Sequence, residues 1–179
     1  MRRSTLASLI AFVALPVLPS LAHEFWLVPS KFRPAVKEIV SVKTLVGDGY
    51  VGESRPRDPT KLDRFVLATP EGEVKVMGRD GLDPAGFVRI GTAGTYVMGY
   101  RSKNTRVVLA GEKFEKYLVE KGLDEAAAAR KSGQKTAEDG RERFSRCAKS
   151  IICVGDAPST GWDHEFKFPL ELMPGADPY

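Results

Sequence analysis

The chain of 179 residues holds two imidazoles, His23 and His164. Their chemistry depends on what precedes them. Residues 2 and 3 are arginines, residues 6–18 are mostly apolar, and Ser20-Leu21-Ala22 puts small residues at the −3 and −1 positions of a cut after Ala22. That pattern predicts a secretory leader over residues 1–22. Cleavage makes His23 the first residue, with an α-amine and an imidazole able to chelate one cation. The amine titrates at about 7.7–8.0 and the imidazole near 6.5, so both give up protons readily at neutral pH. Such donors suit Cu(II) or Ni(II) in a square-planar or tetragonal field. His164 is the other imidazole that could join, and Asp163 beside it offers a weak carboxylate ligand. The competing reading is structural: a first residue often frays into solvent, and His164 is then an ordinary loop residue.

Other chemistries find less support. Gly47-Asp48-Gly49-Tyr50-Val51-Gly52 matches G-x-G-x-x-G, but Pro56 and Pro59 follow where a dinucleotide site needs a helix N-terminus, so a β-turn loop is expected. Asp80-Gly81-Leu82-Asp83 lacks the spaced oxygen ligands of an EF-hand and reads as a turn. No G-x-S-x-G or H-E-x-x-H occurs, and nothing orders Ser159, Asp163 and His164 into a triad. No catalytic residue is assigned, and the chain is read as a non-enzyme.

Composition bounds the partners. Hydrophobic residues make up 42% and charged residues 28%, a balance that folds rather than stays disordered. Removing 22 residues leaves 157, and losing Arg2 and Arg3 lowers the net charge from +4 to +2. Single-sign charge blocks are absent, which argues against nucleic acid. The apolar run of the leader is shorter than the roughly 20 residues of a spanning helix, and Pro16 and Pro19 break it, so no membrane span is expected after its removal. Cys147 and Cys153 sit in an oxidising compartment, yet in one strand they would lie about 20 Å apart, beyond the roughly 7 Å that a disulfide allows. They are expected to be unpaired.

Hydrophobic periodicity predicts the elements that must hold these groups. Residues 25–28 form a short apolar run stopped by Pro29, and 39–46 alternate with Val40, Val42, Thr44 and Val46 on one face. Residues 47–59 read as a loop. Strands follow at 64–68, 74–77, 87–90 and 95–101, the last with Tyr96, Met98 and Tyr100 on one face; 105–109 is expected to pair with it. Phe114, Tyr117, Leu118 and Lys121 recur at helical spacing up to Gly122, and Asp124 is a candidate N-cap for an Ala-rich helix. Residues 143–154 return to strand, and 166–173 read as a last strand. The whole is an all-β dominated sandwich over 23–179 with a helical insertion at about 111–131.

His23-Glu24-Phe25-Trp26-Leu27 after a leader, followed by Pro29 and Phe32-Arg33-Pro34, resembles the start of the exported bacterial family called domain of unknown function 4198, earlier described as a nickel-uptake component. Gly94-Thr95-Tyr96-Val97, the stretch 112–118, Gly122-Leu123-Asp124, the stretch 141–149 and Pro169-Leu170-Glu171-Leu172-Met173-Pro174 resemble its further signatures, in order. The resemblance implies an immunoglobulin-like or transthyretin-like β-sandwich in a Gram-negative periplasm. It also implies a link to nickel or cobalt uptake, with an envelope transporter or receptor as partner. Of the ligands, His23 alone carries over. Many relatives have Gly-His-Pro-Leu-Glu near the end, where this chain has Lys167-Phe168-Pro169-Leu170-Glu171. The expected function is therefore non-catalytic binding of Ni, Co or Cu. An envelope interaction module without a metal is the alternative, and a terminal-histidine copper oxidase is a third.

Overall fold

The structure, a computed structural model, describes residues 24–179; the predicted leader and His23 lie outside the described residues. The first sheet is built on β2 (Ile39–Asp48). β1 (Glu24–Pro29) runs antiparallel along one edge, from Glu24 opposite Gly47 to Pro29 opposite Val42. The other edge is shared by β3 (Val51–Arg55) and β6 (Gly86–Arg89). The second sheet has β4 (Leu62–Thr69), β5 (Gly72–Lys75), β7 (Gly94–Ser102) and β10 (Cys147–Val154) in the order β10-β7-β4-β5, all antiparallel. The two sheets form the predicted β-sandwich.

The alternation seen in the sequence is the alternation of burial. Val40, Val42, Thr44 and Val46 are buried, while Ile39 and Lys43 face out. Leu27, Val40 and Val42 of the first sheet meet Phe65, Leu67, Met98 and Ile152 of the second in the core. Each such side chain contributes about 1.5–3 kcal/mol on burial. Beyond β5, Met77 bridges to Phe87, so the chain leaving the second sheet stitches itself to β6 of the first.

Four expectations are corrected. First, residues 47–59 are not all loop: Gly49 and Tyr50, at φ 58° and 62°, close a two-residue hairpin between β2 and β3. Positive φ at both central positions is the type I′ turn that matches strand twist. Second, β8 (Thr105–Leu109) pairs with β9 (Gly140–Phe144), not with β7, because β4 and β10 already occupy both edges of β7. The predicted strand 143–154 thus divides at residues 145–146 into β9 and β10.

Third, Asp124 is not an N-cap. It is the first residue of α2 (Asp124–Ser132), with Leu123 before it, and its carboxylate lies in the first turn, where the helix dipole favours it. α1 (Gly111–Glu120) and α2 fill the insertion between β8 and β9. Phe114 of α1 covers Gly140, where a Cβ would fall 1.9 Å from the ring. Fourth, 166–173 is not a strand. Lys167 has φ 58°, and the amides of Phe166 and Phe168 donate to the Glu171 carboxylate at 2.7 and 3.2 Å. A side chain satisfies the donors a neighbouring strand would have taken. The alternation read there is real, since Phe166 and Phe168 bury themselves on the outer face of the second sheet with Val66, Ala68 and Val97. Cys147 and Cys153, at opposite ends of β10, are both free thiols.

Candidate functional site

β1 is held on both faces from its first residues. The Phe25 ring lies 4.8 Å from Tyr100 on the core side. Trp26, on the opposite side, meets Tyr50 edge-on at 6.0 Å and lies against Gly52. Glu24 pairs with Gly47, and its carboxylate accepts the Tyr50 amide at 3.4 Å. The chain therefore enters the sheet one residue after His23.

His164 sits elsewhere. Its ring rests edge-on against Phe166 at 4.7 Å, and its Nε2 lies 3.5 Å from Glu73, which is itself paired with Arg64. That Nε2 is buried without a hydrogen bond among the described residues. Asp163 is exposed in the turn before it. Phe166 packs on the outer face of the second sheet, whereas Phe25 meets Tyr100 on its inner face. His164 and Asp163 thus stand on the far side of that sheet from the contact that anchors β1. Among the described residues no three His, Cys, Asp or Glu side chains gather as a metal cage. Phe168, at the position compared with a histidine above, is buried and stacks on Phe166 at 5.3 Å.

Two features escaped the sequence reading. One is an ion pair between Lys149 and Glu171 at 2.9 Å, with side chains 10% and 8% exposed. Burial alone would push the Glu171 carboxyl up. The Phe166 amide, the Lys149 ammonium and the Phe168 amide outweigh burial and hold it below the usual 4.5. Lys149 also donates to the His164 carbonyl at 2.6 Å. The pair clips the terminal segment to β10.

The other is a cleft of about 510 Å³ at the end of the sandwich, between β1, β7 and the base of the β8–β9 ribbon. Phe25, Tyr100 and Phe144 form aromatic walls, and Arg146 projects among them. The only hint in the sequence is an arginine placed between two strand segments, where most such residues are simply solvated.

A family model described as a domain of unknown function matches residues 20–179. Neither a curated protein nor a solved structure matches the chain.

Proposed function

The chain belongs to the DUF4198 family, and from that premise we propose a non-catalytic, periplasmic protein that binds a transition metal ion, Ni, Co or Cu, and serves its uptake or handling. The α-amine and imidazole of His23 are the donors, freed when the leader is cut after Ala22. The observation that carries this reading is the immediate anchoring of β1. Phe25 against Tyr100 and Trp26 against Gly52 leave a single residue ahead of a held strand, which lowers the conformational entropy lost on chelation. No donor is assigned here to His164 or Asp163, since His164 packs against Phe166 on the outer face of the second sheet. Remaining coordination positions are left to water or to an envelope partner that receives the ion.

Titration of the processed chain with Cu(II) and Ni(II) tests this. Cu(II) should bind more tightly than Ni(II), following the general order of divalent affinities. One extra residue ahead of His23, or His23→Ala, should each weaken binding by on the order of a hundredfold, because each removes a donor from the chelate. His164→Ala should leave affinity unchanged. Affinity that survives both terminal changes sinks the proposal.

A second reading, an envelope interaction module, draws on Leu170 and Leu172, which are 75% and 83% exposed. Partner binding that persists in His23→Ala and fails in a Leu170→Ser, Leu172→Ser double variant would favour it.

A further inference from the structure

We infer that the cleft around Arg146 is a binding site for a small organic acid, one carboxylate on a flat apolar body. The charges lining the cleft are Arg55, Lys61, Asp58 and Arg146. Three of them are matched: Arg55 faces Glu53 at 3.2 Å, and Lys61 faces Asp58 at 3.5 Å. The Asp58 carboxylate is further occupied by the Thr60 amide and hydroxyl. Arg146 is different. Among the described residues its guanidinium has no carboxylate partner and no hydrogen-bond acceptor, although the side chain is half-buried. Its nearest compensation is aromatic, with Phe25 at 5.8 Å and Phe144 at 5.7 Å. Ring faces offset only part of the lost hydration of a cation.

The position of that cation is built. The Arg146 amide donates to Ser102 Oγ at 2.8 Å, and the Ser102 amide donates back to the Arg146 carbonyl at 2.8 Å. The guanidinium is therefore presented from a pinned backbone. Tyr100 adds a hydroxyl that has no hydrogen-bond partner among the described residues. Burial raises the Tyr100 pKa, against the opposing pull of Arg146, so the hydroxyl stays protonated and able to donate. Neighbouring hydroxyls are committed, Thr44 to the Arg55 carbonyl and Ser102 to the Lys103 carbonyl.

A planar guanidinium takes a carboxylate through two parallel N–H bonds. Tyr100 would give a third donor, and the aromatic walls would enclose the rest of the ligand. A volume of about 510 Å³ lies within the range of small-molecule sites. The inference shares the Phe25–Tyr100 contact with the metal reading but no ligand, because no residue proposed as a metal ligand lines the cleft.

Calorimetric titration of the purified chain with benzoate tests the site, with benzamide as the neutral analogue of the same shape. Saturable binding of benzoate is expected, with benzamide at least about tenfold weaker. Arg146→Gln should weaken benzoate by about tenfold or more, and Tyr100→Phe by about threefold to fivefold, each with an unchanged far-ultraviolet spectrum. Should Arg146→Gln fail to fold, the benzoate to benzamide ratio and Tyr100→Phe still decide. No saturation by benzoate, equal binding of benzamide, or unchanged affinity in a folded Arg146→Gln each overturns the inference. Inorganic phosphate that competes as tightly as benzoate binds would overturn the assignment of an apolar carboxylate.

Discussion

Glu171→Ala is expected to destabilise the folded chain by about 3–5 kcal/mol at neutral pH, because it strands a buried ammonium. Among the described residues Lys149 would keep the His164 carbonyl at 2.6 Å, the Met173 sulfur at 3.2 Å and the face of the Phe166 ring at 5.6 Å, none of which carries a charge. Two backbone amides, those of Phe166 and Phe168, would lose their acceptor in the same step. Phe166 and Phe168 should then lift from the second sheet and uncover Val66, Ala68 and Val97. Glu171→Gln keeps an acceptor and loses the charge, so its loss should be smaller.

The same pair imposes a pH dependence of definite sign. The Glu171 carboxyl is held below its usual 4.5 in the folded chain, so the unfolded chain binds that proton first. Its contribution to stability is complete above the unfolded value and disappears as pH falls through the lowered folded value. Urea unfolding of the native chain and Glu171→Gln should therefore give a clear gap at pH 7 that closes well below pH 4. A gap of equal size at both pH values would show that the charge of Glu171 contributes nothing.

The second large effect is expected at Gly47. An added Cβ would come 2.0 Å from the Val51 carbonyl oxygen and 2.4 Å from Gly52 Cα, both backbone atoms of the strand directly opposite. Neither can turn aside as a side chain would, so Gly47→Ala should cost about 3 kcal/mol or more by separating β2 from β3. Gly49→Ala makes the contrast. Its Cβ meets nothing within 4 Å, and the penalty is the left-handed φ of 58° alone, about 1–2 kcal/mol. Denaturation midpoints should rank the native chain above Gly49→Ala and both well above Gly47→Ala. Equal losses at the two glycines would contradict the hairpin packing. The spacing that resembles a nucleotide loop thus has a different cause: Gly47 and Gly52 face each other across the hairpin, Gly52 makes room for Trp26, and Gly49 supplies the turn.

Where one face of a strand meets the core and the other meets water, the residue types record the geometry. β2 and β7 could be read in that way, as could α1 from Phe114, Tyr117 and Leu118. β3 could not, because Val51, Gly52, Glu53 and Arg55 are all exposed and no buried face marks them. The terminal segment misled for the opposite reason. Phe166 and Phe168 bury alternately as in a strand, but their amides are taken by Glu171, five and three residues ahead. The candidate sites divide likewise. His23 is conspicuous because its chemistry comes from its place beside a cleavage pattern, while nothing near Arg146 in the chain announces an unmatched cation.

Side-chain periodicity, turn residues and the leader-like pattern are local properties, and they suffice for the sandwich, its helical excursion and the proposed terminal ligand. Charge pairing is not local. Lys149 and Glu171 are 22 positions apart, and the cleft draws Phe25, Tyr100 and Phe144 from three separate stretches. Whether a lysine or an arginine ends with a counter-ion depends on which segments the packed sheets bring to its side, since Coulomb energy and desolvation follow distance in space and not order along the chain.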